Sequence, residues 1–337
     1  MSEPIRTAVL GTGRIGRMHA ELIARRVPEL SLAGVFDIVP EAAAEVASSL
    51  GVRAADDVRE LIESPDVDAI AVCTSTDTHI DAMVDAAAAG KPIFCEKPVS
   101  LDLGEVDRGL AAVDAAGVPL QIGFNRRFDP SHRAVRDAVA DGAVGEVHLV
   151  RISSRDPAPP PISYIEVSGG IFLDMTIHDF DMARFVTGSE VVEVFATGDV
   201  RVDPAIGEAG DVDTAVVVLR HENGALTTID NSRQAVYGYD QRVEAFGSGG
   251  VVASENPLVT TVVHRDADGT RLATLPYFFL DRYIPSYIEG WHAFADMVRS
   301  GGPSPVGGVD GRAPLVIGLA AWRSLREKRP VATSEIG

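Results

Sequence analysis

Three polar side chains in the middle of the chain, Asp174, His178 and Asp181, could carry out acid–base chemistry. The apolar spacing over Ile171–Thr187 predicts one continuous helix, in which these residues fall within a sector of roughly 60°. A polar stripe on an otherwise apolar helix is typical of a helix that lines a cleft. His178 is then the acid–base candidate, with Asp174 to orient it. The alternative is that His178 and Asp174 share a metal ion, but no third histidine or cysteine ligand lies nearby in the sequence.

A glycine-rich loop near the start of the chain has the pattern of a dinucleotide-binding site. The loop Gly11–Gly16 follows the apolar run Thr7–Gly11 and opens a helical pattern over Arg14–Arg26. Glycines there permit a tight turn and a close approach of the backbone to phosphate, and the N–H groups of the helix N-terminus bind a pyrophosphate. The six-residue pattern alone is weak, but its position between a strand and a helix favours a cofactor site.

Asp37 follows the second strand-like run, Leu30–Phe36, and lies 21 residues after Gly16. An acidic side chain in that place accepts hydrogen bonds from the ribose hydroxyls of an adenine dinucleotide. Ile38 and Val39 come next, so no adjacent basic residue is available for a 2′-phosphate, and the carboxylate would repel one. The sequence therefore predicts NAD rather than NADP.

Two further loops follow predicted parallel strands. Thr74–Ser75–Thr76 comes after the run Ala69–Cys73, and Glu96–Lys97–Pro98 comes after Pro92–Cys95. Because open α/β sheets bind ligands at the carboxyl ends of their strands, we expect both loops to lie at the cofactor. Lys97, between a carboxylate and a proline, is the candidate to hydrogen-bond a substrate hydroxyl beside the nicotinamide.

The elements that position these residues change character near residue 124. Over residues 1–123, strand-like runs alternate with helical patterns, which predicts a doubly wound parallel sheet of the Rossmann type. Over residues 124–337, consecutive strand-like runs are separated by short turns, which predicts an α+β domain with a large, mostly antiparallel open sheet. The chain is thus predicted to be α/β, with a C-terminal helix free to pack back on the first domain. The later strand-like runs are Val147–Ser153, Val191–Thr197, Thr214–Arg220, Ala225–Asn231, Gln241–Ala245, Val251–Ala253 and Val259–His264.

The composition limits the partners of the protein. Its 337 residues carry a formal net charge of −19, which opposes binding to nucleic acid or to an anionic membrane surface. No apolar run approaches the roughly 18 residues needed to span a bilayer, and the first residues do not resemble a signal peptide. Cys73 and Cys95 lie in apolar runs and are expected to be buried free thiols. We expect a cytoplasmic protein with no metal, membrane or nucleic-acid partner.

Several segments together are similar to those of the Gfo/Idh/MocA oxidoreductase family, and the resemblance extends over the whole chain. They are Gly11–Gly16, Glu96–Lys97–Pro98, Gly123–Asp129 and Gly169–Asp181. Within the family, Ser153–Pro161 and Ser168–Asp181 resemble the inositol 2-dehydrogenases. The resemblance implies NAD-dependent oxidation of a ring secondary alcohol to a ketone, with myo-inositol to 2-keto-myo-inositol (scyllo-inosose) as the first choice of reaction. It also implies a homotetramer formed by contact between sheets.

The resemblance further implies roles for individual residues. His178 would accept the hydroxyl proton, while Lys97 and Asp174 would hold that oxygen. The implied cofactor contacts are Gly11, Gly13, Arg14, Ile15, Gly16, Asp37, Thr74, Ser75, Thr76, His79, Glu96 and Lys97. The implied substrate contacts are Lys97, Asn125, Arg127, Asp174, His178, Asp181 and Tyr239.

Two alternatives remain open from the sequence. Ser154 stands where some inositol dehydrogenases present a histidine, so the substrate could be another inositol isomer or a pyranose sugar. A protein that only senses NAD, without catalysis, belongs to a different functional class. The presence of Lys97, Asp174 and His178 favours an enzyme, because a sensor has no physical need for them.

Overall fold

The computed structural model describes residues 3–337 and divides into two compact units. The first comprises the chain up to Asn125 together with Tyr287–Ala313, and the second comprises Arg126–Ser286 and Pro314–Gly337. Residues 287–313, which were predicted to belong to the second domain, are therefore grouped with the first. One buried contact that joins them to it is the hydrogen bond from the Gln121 side chain to the Gly290 carbonyl, at 2.8 Å.

The first unit is built on a parallel five-stranded sheet, which confirms the predicted doubly wound domain. In chain order its elements are β1 (Ile5–Leu10), α1 (Arg14–Arg25), β2 (Leu30–Phe36), α2 (Pro40–Leu50), α3 (Val58–Ile62), β3 (Ala69–Val72), α4 (His79–Ala88), β4 (Ile93–Cys95), α5 (Leu103–Ala116) and β5 (Leu120–Ile122). The strands lie in the order β2-β1-β3-β4-β5, and neighbours are parallel. Gly11, Asp37 and Glu96 directly follow β1, β2 and β4, so the predicted cofactor residues meet at the carboxyl edge of this sheet.

The remaining elements complete the chain. In order they are α6 (Pro130–Ala140), β6 (Val147–Arg155), α7 (Ile162–Ser168), α8 (Gly170–Asp174), α9 (Ile177–Thr187), β7 (Val191–Asp199), α10 (Pro204–Glu208), β8 (Thr214–His221), β9 (Leu226–Ser232), β10 (Asp240–Gly247), β11 (Gly250–Ser254), β12 (Val263–Asp266), β13 (Gly269–Leu272), α11 (Phe279–Ser300), α12 (Gly308–Glu327) and β14 (Val331–Ala332). The division between the two units falls within α11 and within α12.

The second unit contains a seven-stranded sheet in the order β11-β10-β6-β9-β8-β7-β14. Only the central pair, β6 and β9, is parallel among its neighbouring strands within residues 3–337, which confirms the mostly antiparallel sheet. Alternate side chains of the strands, such as Val217 and Ile229, pack with Phe172, Phe180 and Ile317 in one apolar core. On the opposite face of the sheet, several large apolar side chains are exposed: Phe195, Val216, Val218, Phe246 and Val251.

The prediction of one continuous helix over Ile171–Thr187 is wrong, because the structure has two helices, α8 and α9. The Ile171 carbonyl accepts a hydrogen bond from the backbone N–H of Thr176, five residues on, at 2.8 Å. It also accepts one from the Thr176 hydroxyl at 3.1 Å. These contacts interrupt the regular helical ladder. Asp174 therefore ends α8 and His178 lies in the first turn of α9, so the two do not share one straight helix.

Smaller departures from prediction are local. The strand predicted over Val259–His264 is shifted: β12 begins at Val263 and pairs with β13 in a separate, exposed two-stranded sheet. The short helices α3, α7 and α10 were not predicted, since segments of 5 to 7 residues are too short to display helical periodicity. Among residues 3–337, none of the helices combines the length and the apolar character that a membrane span requires.

Candidate active site

The glycine loop between β1 and α1 is tight on one side and open on the other. Gly11 has a φ of +90°, and a Cβ there would lie 2.5 Å from the Cys73 carbonyl oxygen. A Cβ at Gly16 would lie 1.9 Å from the Gly11 carbonyl oxygen. In contrast, a Cβ at Gly13 would have nothing within 4 Å. The loop thus requires glycine for its own packing and leaves the N-terminus of α1, with exposed Arg14, accessible to a phosphate group.

Asp37 has the geometry expected for a ribose acceptor. Its carboxylate accepts hydrogen bonds from the Thr12 backbone N–H at 2.6 Å, the Thr12 hydroxyl at 2.9 Å and the Val39 N–H at 2.9 Å. Partial burial raises the pKa of Asp37, but these hydrogen bonds outweigh it and hold the pKa below its usual value. An ionised carboxylate keeps acceptor capacity for ribose hydroxyls and repels a 2′-phosphate. The residues present therefore fit NAD.

The loop after β3 is joined to the loop after β4 by His79. The ring is buried, with Nδ1 3.0 Å from the Pro98 carbonyl oxygen and Nε2 3.1 Å from the Thr74 carbonyl oxygen. Burial lowers the pKa of His79, against the two backbone carbonyls, which raise it. His79 thus connects two loops predicted to contact the cofactor, while Ser75 and Thr76 remain accessible.

Lys97 follows a carboxylate that is held by a chain of buried hydrogen bonds. Trp291 Nε1–H donates to His19 Nδ1 at 2.9 Å, which leaves the His19 proton on Nε2. That nitrogen donates to Glu96 Oε1 at 2.8 Å, and the Lys97 backbone N–H donates to Glu96 Oε2 at 3.1 Å. Sequence reasoning missed His19 and Trp291. The available signal was a histidine among the buried, mostly apolar residues of α1, because a buried polar group needs a partner.

The second unit presents Asp174 and His178 from two consecutive helices. Both side chains are partly exposed, whereas the other residues from Ile171 to Phe180 are buried. Tyr164 donates its hydroxyl hydrogen to Asp174 Oδ1 at 2.8 Å, and Arg233 donates to Asp174 Oδ2 at 3.4 Å. The two side chains therefore interrupt an otherwise buried segment, and the carboxylate of Asp174 is held at both oxygens.

The start of α9 is fixed by a second buried network. Arg126 donates to Asp179 Oδ1 at 2.6 Å and to the Ser154 hydroxyl at 3.0 Å. Asn231 donates to the other Asp179 oxygen at 2.8 Å and accepts a hydrogen bond from Thr176 at 2.7 Å. Since Asp179 is the residue after His178, this network holds the turn that carries the histidine.

The other side chains that were predicted to bind substrate are buried. Arg127 donates two hydrogen bonds to Asp181, at 2.8 Å and 2.6 Å, in a buried bidentate pair. Tyr239 is buried with its hydroxyl 3.5 Å from an Arg126 nitrogen, and Asn125 is buried at the end of the first unit. Their direct contact with substrate stays a prediction. Within residues 3–337, no three His, Cys, Asp or Glu side chains are grouped as a metal site.

Comparison with known families accounts for both units. Residues 5–124 match the model of the oxidoreductase family with an NAD-binding Rossmann fold, and residues 132–253 match the GFO/IDH/MocA C-terminal domain. The chain belongs to the GFO/IDH/MocA oxidoreductase family. Its first unit is thus an NAD-binding domain, as the glycine loop and Asp37 predicted.

Individual relatives show which proteins of this family the chain is similar to. The chain is 52% identical over 333 residues to the myo-inositol 2-dehydrogenase of Thermotoga maritima, covering 98% of this chain and 99% of that protein. It is 45% identical over 330 residues to the inositol 2-dehydrogenase of Rhizobium meliloti, covering 97% and 99%. Its fold is similar to the crystal structure of a Lactobacillus casei scyllo-inositol dehydrogenase with bound NAD(H) and scyllo-inositol. That match has a TM-score of 0.92 at 27% identity and covers 98% of this chain and 100% of the other.

Proposed function

We propose that this protein is an inositol dehydrogenase that oxidises myo-inositol to 2-keto-myo-inositol with NAD as the hydride acceptor. The observation that carries the proposal is the pair Asp174 and His178, which stand partly exposed in an otherwise buried segment. The full-length similarity to proteins named myo-inositol and inositol 2-dehydrogenase supports the choice of substrate class.

The proposed chemistry divides the work among three side chains. When bound, NAD accepts the hydride that leaves the ring carbon. His178 accepts the proton of the reacting hydroxyl, and its partial exposure gives that proton a route to solvent. Lys97 donates a hydrogen bond to the same oxygen and stabilises the negative charge that develops on it. Asp174, an acceptor held by Tyr164 and Arg233, fixes the direction of that hydrogen-bonding arrangement.

The proposed cofactor contacts lie at one edge of the first sheet. Glycine backbone and α1 N–H groups would bind the pyrophosphate, and Asp37 would bind the adenosine ribose. Glu96, held by His19, would fix the loop that carries Lys97 beside the nicotinamide. Thr74, Ser75 and Thr76 would complete the nicotinamide side of this site, and the buried His79 would hold their loop against the loop of Pro98.

A related substrate is the second candidate. The polar residues proposed to bind the ring hydroxyls, including Arg127 and Asp181, can recognise more than one arrangement of hydroxyl groups. The solved relative that contains scyllo-inositol supports a second inositol isomer as an alternative. A sensor without catalysis is not supported, since Lys97, Asp174 and His178 are all present.

We further propose that the protein is a cytoplasmic homotetramer. The exposed apolar side chains on the open face of the seven-stranded sheet, Phe195, Val216, Val218, Phe246 and Val251, support contact between the sheets of two copies. The cytoplasm suits the two free, buried cysteines and the NAD supply. A monomer in sedimentation at micromolar concentration would contradict the assembly.

A substrate panel tests the proposed function. NADH formation is measured with myo-, scyllo- and chiro-inositol and with glucose, each with NAD and with NADP. We expect the highest kcat/KM for an inositol isomer with NAD, and myo-inositol as the preferred one. A preference for glucose would overturn the substrate class, and the absence of turnover with every member would overturn the proposed function.

A further inference from the structure

Arg233 is a buried cation bonded directly to the carboxylate of Asp174. It follows β9, and its side chain is 1% exposed. One terminal nitrogen donates to Asp174 Oδ2 and the other to Asp211 Oδ2, each at 3.4 Å. A buried guanidinium is costly unless opposite charges compensate it. The two carboxylates supply that compensation.

Asp211 links this ion pair to the backbone of α8. Its Oδ1 accepts a hydrogen bond from the Ile171 N–H at 3.0 Å, while its Oδ2 contacts Arg233. Gly170 has a φ of +75°, and a Cβ there would lie 2.7 Å from Asp211 Oδ1. Glycine at this position therefore allows the carboxylate to reach the helix. As a result, α8 is held by Asp211 near its first residue and by Arg233 at Asp174, its last.

Further polar groups face Asp174 from neighbouring elements. Tyr164 of α7 donates a hydrogen bond to Oδ1 at 2.8 Å. Asp156, directly after β6, adds a nearby negative charge. Burial raises the pKa of Asp156 to about 6, against the effect of Arg233 and with the repulsion of Asp174 adding to it. Asp174 is thus close to the carboxylates Asp156 and Asp211, and Arg233 is the cation placed among them.

We propose that Arg233 is a positioning residue: its guanidinium compensates the charge of the Asp174 carboxylate and holds that carboxylate in the direction that the proton transfer at His178 requires. Without the guanidinium, the Asp174 carboxylate loses its hydrogen bond at Oδ2, and its repulsion by Asp156 is no longer compensated. This inference rests on the proposed function, because it takes Asp174 and His178 as participants in the reaction. A purely structural role for Arg233 would stabilise the fold without compensating the charge of Asp174 or directing its carboxylate.

The pH dependence of turnover separates these two roles. In Arg233→Met, kcat is expected to fall by roughly 10–100-fold, and the acid limb of kcat/KM to move to higher pH by about one unit or more. In Arg233→Lys the charge remains, so the limb stays near its wild-type position. Its kcat falls several-fold, since an ammonium group cannot bridge Asp174 and Asp211 as a planar guanidinium does.

Two further variants serve as controls. Asp211→Asn retains an oxygen for the Ile171 N–H and removes one competing anion, so its acid limb should not move to higher pH. Arg282→Met removes another buried arginine, which is paired with Asp129 rather than with Asp174. It is expected to lower stability and to leave the acid limb in place. An upward shift in Arg282→Met equal to that in Arg233→Met would contradict a specific role for Arg233.

A measurement without substrate keeps this inference separate from the proposed function. The ionisation of the Asp174 carboxyl is followed by carboxyl-carbon NMR across the pH range, with Asp174→Asn used to assign the signal. A midpoint at higher pH in Arg233→Met supports the inference even if no inositol is oxidised, and an unchanged midpoint overturns it. If Arg233→Met does not fold, the turnover of Arg233→Lys is the deciding measurement. A kcat of Arg233→Lys equal to that of the wild-type protein would overturn the positioning role. A wild-type protein inactive with every inositol overturns the proposed function alone.

Discussion

The two units hold their reactive side chains in different ways. In the first, Glu96 next to Lys97 accepts hydrogen bonds from His19 Nε2 at 2.8 Å and from the Lys97 backbone N–H at 3.1 Å. In the second, Asp174 is held by a phenol and by the guanidinium of Arg233. The first arrangement depends on hydrogen-bond geometry, and the second depends on a balance of buried charges.

This difference has a functional consequence. Two hydrogen bonds to a single carboxylate hold the cofactor loop, whereas the group around Asp174 contains several charges. A carboxylate held among other charges responds to pH, since protonation of any one member changes the others. We therefore expect cofactor binding to vary little with pH and turnover to vary strongly.

The largest expected effect is a loss of turnover, without a loss of NAD binding, when His178 is replaced. His178→Ala removes the proposed proton acceptor and should lower kcat by roughly 10²–10⁴. NAD affinity, measured by fluorescence titration with NADH, should remain near the wild-type value, because His178 lies outside the NAD-binding unit. Near-normal turnover, or loss of NADH binding in a folded variant, would contradict the assignment of proton transfer to His178 and of NAD binding to the first unit.

Treatment with a chelator should leave the wild-type rate unchanged.

Lys97→Met tests whether Lys97 and His178 act in one step. Its kcat should also fall by roughly 10²–10⁴, because the developing charge on the oxygen loses its donor. In the double variant with His178→Ala, the further loss should be much smaller than the sum of the two single effects in free energy, since both residues serve one proton transfer. Additive losses would show that the two side chains act in separate steps.

Asp37→Ala is expected to change the cofactor and leave the chemistry intact. Loss of the charged acceptor should lower kcat/KM for NAD by roughly 10–100-fold. The preference over NADP should shrink, because the repulsion of a 2′-phosphate is removed as well. Asp37→Asn is the matched control, because it keeps one acceptor oxygen and loses the charge. Equal efficiency of the wild-type protein with NADP and NAD would contradict the assignment of Asp37.

The smallest expected effect concerns the free energy of unfolding, which is lowered by burying Asp156 near Asp174 and Arg233. Burial raises the pKa of Asp156 from 3.8 to about 6, so the folded state binds its proton more tightly than the unfolded chain. Stability from this group is therefore complete below pH 3.8 and is lost as the pH rises through about 6. Asp156→Asn should stabilise the protein at pH 8 by about 1–3 kcal/mol, and the gain should vanish near pH 4. Denaturant unfolding at both pH values checks this, and an equal gain at both would contradict it.

The sequence predicted the first unit better than the second for a physical reason. The glycine loop and Asp37 are contributed by one continuous strand–helix–strand segment, and their spacing alone indicates their roles. The group around Asp174 is assembled from residues far apart in the chain, such as Arg233 and Asp211, which lie outside the helices and strands. The break between α8 and α9 depends on the bonding of a single carbonyl, that of Ile171, which no periodicity displays.

The central claim, hydride transfer from an inositol ring carbon to NAD, is tested most directly with myo-inositol that carries deuterium on the carbon of the 2-hydroxyl group. The wild-type enzyme is incubated with this substrate and NAD, and the NADH formed is analysed by mass spectrometry and NMR. We predict one deuterium at nicotinamide C4 for each molecule of 2-keto-myo-inositol formed. Unlabelled NADH alongside a ketone would place the oxidation at another ring carbon, and the absence of NADH would contradict the account of this protein as an inositol dehydrogenase.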